Sequence, residues 1–320
     1  MALLSSESLL RPLASLALLL LVGADHALPQ PPPTPQRPPI IDMHIHAFSW
    51  DHQGNPPPPN PVTGKVPAAR TDKEAMEASL AELRRYNVVR AVAGGRSEHV
   101  SRWHAADPER IIGGTMMPLP DVSVLREDFL AGRLGVMGEL APPYSGMSPN
   151  DPQMEPYWAF AEELDMPVGV HTGLAPPNTP YQCCPKFRNS LGNPALLEEV
   201  LIRHPKLRVY LMHAGYPYLQ ETKAIMHMYP QVYADLAAID WLRPREEFHE
   251  YLRALVRAGF GKRLMFGSDQ MVWPEGIGMA IEGIESASFL TEEQKRDIFY
   301  NNAVRFLRLD EKKLGLNSSK

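Results

Sequence analysis

Eight short apolar runs, rich in β-branched residues, alternate along the chain with longer stretches of helical periodicity, and this alternation limits the fold more than any other feature. The stretches after Val122 and Tyr216 are weaker helix predictions because Gly and Pro interrupt them. The predicted strands are residues 40–46, 88–93, 111–116, 134–139, 167–171, 207–213, 232–236 and 263–268. The clearest predicted helices are residues 73–86, 154–165, 194–204, 244–259 and 291–307.

Eight β–α units over about 270 residues predict an α/β protein with a closed parallel TIM (β/α)8 barrel. An open doubly wound sheet usually has fewer strands and a G-x-G-x-x-G loop after the first, and no such motif follows the first run here. The barrel domain is predicted over residues 40–309, with residues 310–320 as a C-terminal tail. A chain of 320 residues that is 44% hydrophobic is long enough for one such core.

The N-terminus has the pattern of a secretory signal peptide, predicted over residues 1–27. Arg11 precedes an apolar run that ends at Val22, and the small residues Gly23 and Ala24 follow as a cleavage signal. The apolar run is about half the ~20 residues that a membrane-spanning helix needs. We therefore expect export to the periplasm or the medium, no membrane attachment after cleavage, and a Pro-rich spacer over residues 28–39.

Polar side chains recur at the C-terminal ends of the predicted strands. A lone histidine is usually a hydrogen-bonded core or surface residue, but recurrence at several strand ends argues against that interpretation. In a TIM barrel these ends surround one mouth, and His44 and His46 in IIDMHIH point to the same face of their strand. The sequence therefore predicts a metal centre. Its predicted ligands are His44, His46, Glu139, His171, His213 and Asp269.

Imidazole nitrogens with a carboxylate are ligands that zinc prefers, so we expect one or two divalent ions, zinc first and Mn²⁺ or another divalent ion as the alternative. Such an ion lowers the pKa of its water toward ~7 and makes it a nucleophile. Asp269 is predicted to accept the proton and pass it to the leaving group. His213 would either bind a second ion or polarise the substrate carbonyl, and Glu139 is placed to bridge two ions.

These residues carry a resemblance to the amidohydrolase superfamily, in particular its amidohydrolase-related group. The pattern is D-x-H-x-H at strand one, a carboxylate at strand four, His at strands five and six, and G-S-D at strand eight, covering the chain from about Ile41 to Leu307. The resemblance implies a TIM barrel, a divalent metal held by the residues matching His44, His46, His171 and Asp269, and mostly hydrolytic chemistry.

One position departs from many binuclear members of that superfamily. They carry a carboxylated lysine where this chain has Glu139, as in the deoxyribonuclease-like branch, which keeps a two-metal site open. Mononuclear relatives instead use the histidine that matches His213 as a catalytic residue, and some of them decarboxylate aromatic or unsaturated acids. The resemblance therefore leaves the number of ions open.

Several other residues have two interpretations. Asp235 would orient a metal ligand or form a helix cap or turn, and Tyr144 and Trp273 would form an apolar substrate wall or pack against helices. His52 is a weaker candidate for substrate contact. The loops over residues 47–71 and 172–189 would be a lid or solvated Pro-rich segments. Adjacent Cys183 and Cys184 are expected as two thiols, with a vicinal disulfide as the alternative.

The leading functional hypothesis is a metal-dependent hydrolase that cleaves a small-molecule lactone, amide or ester. The alternatives are a decarboxylase of the same family, with Arg70 or Arg188 holding the substrate carboxylate, and a non-catalytic metal-binding barrel. The formal net charge of -5 offers no basic field for nucleic acid or anionic lipid, so neither is an expected partner. A homo-oligomer is compatible with the sequence.

Overall fold

The computed structural model describes residues 37–310 of the chain. The predicted signal peptide, all but the last three residues of the predicted spacer, and residues 311–320 of the predicted tail lie outside the described residues. Those segments and their boundaries stay predictions. Among the residues that are described, no helix has both the length and the apolar character needed to cross a bilayer.

Eight parallel strands form the centre of the described chain. They are β1 Ile40–His46, β2 Val88–Gly94, β3 Ile111–Gly113, β4 Met137–Leu140, β5 Val168–His171, β6 Val209–Met212, β7 Val232–Asp235 and β8 Leu264–Met265. The ladders run β1-β2-β3 and β4-β5-β6-β7-β8.

Backbone hydrogen bonds join the two ladders at both ends. The amide of Thr115 donates to the carbonyl of Gly138 over 2.9 Å, between β3 and β4. On the other side, the amide of Met43 donates to Phe266 over 2.9 Å, and the amide of Asp269 donates to His44 over 2.7 Å. These bonds close the sheet on itself, and the predicted TIM barrel is confirmed.

Helices follow the strands and cover the barrel. They are α1 Asp72–Arg85, α2 Ser97–Ala106, α3 Val122–Leu130, α4 Glu155–Glu163, α5 Thr179–Gln182, α6 Glu198–Arg203, α7 Leu219–Met228, α8 Ile239–Leu242, α9 Arg245–Arg257, α10 Gly276–Glu285, α11 Glu292–Arg296 and α12 Asn302–Leu307. A π-helical turn, Asp297–Asn301, joins α11 to α12. Short 3-10 turns lie at Pro142–Ser145, Pro152–Met154, Asn189–Gly192, Pro194–Leu197, His213–Gly215 and Gly261–Arg263.

Local sequence explains where several helices begin and which side they bury. The Thr71 side chain accepts a hydrogen bond from the amide of Glu74 and caps α1, whose last turn carries Arg84 and Arg85. Thr291 and Gln294 form a capping box at the start of α11. Helix α9 buries an apolar stripe at helical spacing against the core, made by Phe248, Tyr251, Leu252 and Leu255.

Six of the eight predicted strands are longer than those observed, including the three at residues 111–116, 134–139 and 263–268. The predicted strand 111–116 ends at Gly113, where an added Cβ would overlap the carbonyl of Arg133, so the chain is packed too tightly there for a side chain. The predicted strand 134–139 is shifted to Met137–Leu140, which places Glu139 inside the strand. The predicted strand 263–268 is reduced to Leu264–Met265, and the residues after it bond to β1 instead of β7.

The expectation of two free thiols at Cys183 and Cys184 is wrong, because the structure joins them in a vicinal disulfide. Both cysteines follow α5, and their amides donate to the same carbonyl, that of Thr179, over 3.2 and 3.1 Å. This tight turn brings the two side chains together. The disulfide lies in the loop after β5, on the side of the barrel where the strands end.

Candidate metal centre

The structure brings all six predicted ligands together at the mouth of the barrel. His44 and His46 lie on β1, Glu139 on β4 and His171 at the end of β5. His213 directly follows β6, and Asp269 lies four residues after β8. Parallel strands of a barrel end on one side, which is why residues more than two hundred positions apart meet there. Their role as ligands stays a prediction.

One set of potential ligands consists of His44, His46 and Asp269, whose ligand atoms all lie within 4.8 Å of one another. Nε2 of His46 is 2.9 Å from Oδ1 of Asp269, and Nε2 of His44 is 3.9 Å from the same oxygen. All three residues are buried. Two imidazoles and a carboxylate are a common zinc-binding combination.

A second set consists of His44, Glu139 and His213. Nε2 of His44 is 3.8 Å from Oε2 of Glu139, and Nε2 of His213 is 3.5 Å from Oε1 of the same carboxylate. Glu139 belongs to the second set, yet its Oε2 is also 3.6 Å from Nε2 of His46, a member of the first set. Glu139 is therefore close to both sets. The bridging role of Glu139 stays a prediction.

His171 belongs to neither set. Its Nδ1 lies 2.6 Å from Oε1 of Glu139 and 3.2 Å from Nε2 of His213, so it adjoins the second set. The resemblance grouped it with the residues that match His44, His46 and Asp269. In the structure the nearest potential ligands to its Nδ1 are instead Glu139 and His213.

Hydrogen bonds at Nδ1 fix the orientation of the imidazole rings of His44 and His213. Nδ1 of His44 donates to Oδ2 of Asp235 over 3.2 Å, and Nδ1 of His213 donates to the carbonyl of Ala237 over 2.9 Å. The other oxygen of Asp235 accepts from the amide of His213 over 2.8 Å. Each ring therefore presents Nε2 to the centre, as a metal-ligating histidine does.

Buried polar atoms without a hydrogen bond indicate whether the cluster suits a metal ion. Within residues 37–310, Nε2 of His44 and Oδ1 of Asp269 are buried without a hydrogen bond. Buried polar atoms are nearly always paired, so such a pair of atoms facing one point needs an explanation. A divalent ion held by both nitrogens and the carboxylate would supply it, and the donor set suits zinc. The residues fit a metal ion.

The two sets compete for one nitrogen of His44. Its Nδ1 is engaged by Asp235, which leaves Nε2 for metal binding, and both sets include His44. An imidazole nitrogen binds one ion at a time. A second ion would therefore have to be held by Glu139, His171 and His213 without His44.

Charges within the cluster shift the pKa values of its members. Burial opposes a charge on His44, yet the carboxylates of Asp269, Asp235 and Glu139 outweigh it and raise the pKa of that imidazole well above its ordinary value. Burial would raise the pKa of Asp269, but His44 and His46 lower it to about 2. In the same way His171 and His213 hold the pKa of Glu139 well below its usual range.

We expect metal affinity to rise with pH. Because the pKa of His44 is raised, the metal-free protein at neutral pH carries a proton on Nε2 that the ion must displace. The gain in affinity should continue while the pH is below the raised pKa of His44 and level off above it. Zinc titration by calorimetry, in two buffers of different ionisation enthalpy, measures the proton release. An affinity independent of pH over that range would contradict this prediction.

Two residues predicted to act in catalysis adopt unusual backbone conformations. His213 has φ 60° and Asp269 has φ 47°, in the left-handed region that non-glycine residues rarely occupy. The amide of Asp269 donates to His44, and the amide of His213 donates to Asp235, so hydrogen bonds hold both residues in place. Strained backbone of this kind is concentrated at functional sites.

Replacing Asp235 by Asn is expected to weaken zinc binding by roughly 10- to 100-fold. The amide keeps the shape of the carboxylate but loses its charge, so it holds the His44 ring in the ligating orientation less strongly. Competition with a fluorescent zinc chelator measures the affinity. The matched control is Asp128→Asn, which removes a half-exposed carboxylate that pairs with Arg133 away from the mouth. Equal affinities for the two variants would contradict the role of Asp235.

The wall beside β1 contains residues that the sequence interpretation missed. Phe48 stacks on His46 with ring centroids 4.2 Å apart, and His52 stacks on Phe48 at 3.7 Å. Burial, together with the charges of His46 and Arg96, lowers the pKa of His52 to about 4, so its imidazole is neutral. The sequence signal for Phe48 was its alternation with His44 and His46, which places all three on one face.

Other missed residues tie β1 to the segment after β8. Oδ1 of Asp42 accepts from the amides of His44 and Ser268, each over 3.0 Å. The side chain of Gln270 exchanges two hydrogen bonds with the backbone of His46, over 3.0 and 2.9 Å. The signal was present in the motifs D-x-H-x-H and G-S-D-Q, but only the fold shows that they are neighbours.

Most of the loop over residues 47–71 is exposed, as in a solvated segment, but two hydrogen bonds attach it to the segment after β8. Nε1 of Trp273 donates to the carbonyl of Pro58 over 3.0 Å, and the side-chain amide of Asn60 donates to Glu275 over 3.1 Å. Asn60 is 1% exposed. Trp273 therefore packs against this loop, and the loop is attached to the segment that follows β8.

Three other histidines bond to partners outside the cluster. His104 and His249 bond to the carbonyls of Ile111 and Gly283, and His204 lies between Glu155 and Glu162. Within the described residues, both candidate ligand sets thus lie at the mouth of the barrel.

The fold and the site define a TIM-barrel protein with a candidate divalent-metal centre at the C-terminal ends of its strands. The chain belongs to the amidohydrolase family, because a sequence profile of that family matches residues 41–309.

Two curated proteins are distant relatives. The fluG protein of Emericella nidulans is 25% identical over 169 residues, which are 48% of this chain and 18% of that protein. A 2-amino-3-carboxymuconate-6-semialdehyde decarboxylase of Dictyostelium discoideum is 24% identical over 251 residues, which are 68% of this chain and 66% of that enzyme. The chain thus spans less than two thirds of each relative.

Solved structures share the fold at low identity. An uncharacterised TIM-barrel protein from Bordetella bronchiseptica has a TM-score of 0.64 and 17% identity, covering 87% of this chain and all of that one. A probable 2-pyrone-4,6-dicarboxylic acid hydrolase from Acinetobacter baumannii has a TM-score of 0.60 and 15% identity, covering 84% and 99%. An amidohydrolase from Burkholderia multivorans with bound zinc has a TM-score of 0.56 and 16% identity, covering 85% and 100%.

Proposed function

We propose that this member of the amidohydrolase family is a metal-dependent hydrolase that cleaves a lactone, amide or ester bond of a small molecule. The observation that carries the proposal is the ionised carboxylate of Asp269, buried at the mouth beside His44 and His46. Hydrolysis by activated water needs a base at this place, and the low pKa of Asp269, about 2, keeps it able to accept a proton.

The residues of the centre divide the work of hydrolysis. A bound divalent ion, held by His44, His46 and Asp269, supplies Lewis acidity and lowers the pKa of water toward ~7. Asp269 accepts the proton of the attacking water and returns it to the leaving group. His213 has a raised pKa, because hydrogen bonding to Glu139 outweighs the effect of burial, so its Nε2–H can donate to the substrate carbonyl.

A panel of substrates tests the proposal. Protein stripped of metal and reloaded with zinc, manganese or cobalt is expected to hydrolyse at least one member of a broad set of lactones, amides and esters. Empty reloading buffer is the control for adventitious ions. Failure with all three ions across the panel would contradict hydrolysis.

A decarboxylase is the second candidate, and the relative from Dictyostelium discoideum favours it. The cations first considered for the substrate carboxylate are engaged elsewhere: the guanidinium of Arg70 donates to Pro67 and Ala69, and that of Arg188 donates to Pro185 and Phe187. Arg96, two residues after β2 and close enough to affect His52, is the better candidate. Carbon dioxide release from a carboxylic acid, without uptake of labelled water oxygen, would favour this reaction over hydrolysis.

We also propose that the protein is exported and acts on a small molecule without nucleic acid or membrane partners. The N-terminal pattern supports export, and a disulfide between Cys183 and Cys184 suits an oxidising compartment. Cell fractionation with mass determination of the mature N-terminus tests this. A cytoplasmic protein with an intact residue 1 would contradict it.

A further inference from the structure

Tyr144 lies beside the candidate centre but takes no part in the metal sets. It belongs to the 3-10 turn Pro142–Ser145, five residues after Glu139. The turn is rigid, because Pro142 and Pro143 are buried and the amide of Tyr144 donates to the carbonyl of Ala141 over 3.1 Å. The backbone therefore holds the phenol in a defined position.

Two aromatic rings clamp the phenol at the mouth. The Tyr144 ring packs edge to face against His171, with centroids 5.2 Å apart and an interplanar angle of 75°. On another side it packs against Phe187 at 5.2 Å and 63°. Phe187 is 5% exposed, so the clamp is part of the core and not a surface contact.

The hydroxyl has no hydrogen-bond partner in the part of the chain that the structure describes. A phenol keeps its proton near neutral pH, so the group is available as an O–H donor. The ring packs against His171, whose Nδ1 lies 2.6 Å from Oε1 of Glu139, so the phenol lies beside that carboxylate at the mouth of the barrel.

We propose that the Tyr144 hydroxyl donates a hydrogen bond to the substrate oxygen that becomes negatively charged during hydrolysis, which makes Tyr144 a catalytic residue. This inference rests on the proposed hydrolase function. His213 and Tyr144 flank the same imidazole, that of His171, with centroids 4.9 and 5.2 Å away. Both rings therefore contact the same side chain of the mouth, and we infer that one substrate oxygen accepts from both donors, as in an oxyanion hole.

The role follows from where the electrons move. Attack by water on the carbonyl carbon forms a carbon–oxygen bond and transfers the electron pair of the C=O bond to its oxygen. The negative charge develops there, and a fixed O–H donor stabilises it more than it stabilises the neutral carbonyl. Collapse restores the C=O bond and breaks the bond to the leaving group, which receives its proton from Asp269.

The test compares Tyr144→Phe with Tyr181→Phe in the metal-loaded enzyme, using para-nitrophenyl acetate as the probe ester. Phenylalanine keeps the ring contacts with His171 and Phe187 and removes only the hydroxyl. Tyr181 lies in the loop after β5 and is 89% exposed, so the same change there is the matched control. We expect kcat of Tyr144→Phe to fall roughly 10²- to 10³-fold, with KM and metal content unchanged.

Binding of two anions separates the inference from the proposed function. Methylphosphonate imitates the tetrahedral charged intermediate and acetate the planar product, so Tyr144→Phe should weaken methylphosphonate binding at least tenfold more than acetate binding. If the wild type hydrolyses no ester, the proposed function fails. The ratio of the methylphosphonate affinity to the acetate affinity still shows whether the Tyr144 hydroxyl binds a charged oxygen. Equal ratios for the two variants would overturn the inference. Loss of metal from Tyr144→Phe would also overturn it, since the residue would then be structural.

Discussion

Removal of the bound metal ion is expected to reduce turnover to the uncatalysed background, the largest effect that we predict. Without the ion, Nε2 of His44 remains buried without a hydrogen bond, and nothing activates the attacking water. Dialysis against a chelator, followed by a rate measurement with any substrate found in the panel, checks the expectation. Zinc added back in stoichiometric amounts should restore the rate.

The same dialysis should lower stability. An ion that binds the folded chain alone stabilises it by about 4 kcal/mol at a free concentration one thousand times its Kd. Thermal unfolding with and without zinc measures the difference, and magnesium, which prefers oxygen ligands, is the control ion. A chelated enzyme with full activity and an unchanged melting temperature would exclude a metal-dependent mechanism. The number of ions per chain, from metal analysis, then distinguishes one bound ion from two.

Replacing Asp269 by Asn is expected to lower kcat/KM by roughly 10³- to 10⁴-fold. The amide cannot accept the proton of the attacking water, and it also loses the charge that faces Nε2 of His46 at 2.9 Å. Because the variant also weakens a metal contact, the measurement is made at saturating zinc with the metal content determined on the same sample. The rate loss at full metal content is then the contribution of proton transfer.

A buried carboxylate near the mouth provides the matched control for that variant. Asp240 is 1% exposed, and burial with the nearby charges of Asp42 and Asp235 raises its pKa well above the ordinary value. Burial therefore favours the protonated form of Asp240, which belongs to neither ligand set, and Asp240→Asn should leave the rate almost unchanged. An Asp269→Asn variant that keeps both its metal and its full activity would favour the non-catalytic metal-binding barrel.

The barrel and the gathering of the six residues could be predicted because both follow from local pattern. Side chains two residues apart in a strand point to the same face, so His44 and His46 lie together. A parallel barrel brings the C-terminal ends of all its strands to the same side. The predicted strand ends were less accurate. Two of these errors occur where tertiary packing determines the end of a strand. One is at Gly113, which is too close to Arg133 for a side chain. The other is after Met265, where the chain bonds to β1.

Contacts between distant residues could not be predicted from the sequence. The hydrogen bond of Asp235 to His44 joins residues 191 positions apart, so the sequence analysis left Asp235 with two interpretations. The disulfide at Cys183 and Cys184 depended on a turn around the carbonyl of Thr179, which no residue pattern indicates. In each case the deciding information was the three-dimensional position of a polar partner.

The attachment of the loop over residues 47–71 to the segment after β8 has a consequence for how molecules enter and leave. Trp273 and Asn60 anchor that loop, so the side of the mouth near β1 and β8 behaves as a fixed wall. A cavity of about 570 Å3 is bordered by residues that follow β3, β4 and β5, among them Met117, Ser145 and Lys186, and we expect substrate and product to travel past it. The diffusion path would pass Tyr144, and bulky substitutions beside that cavity should slow product escape before they alter chemistry.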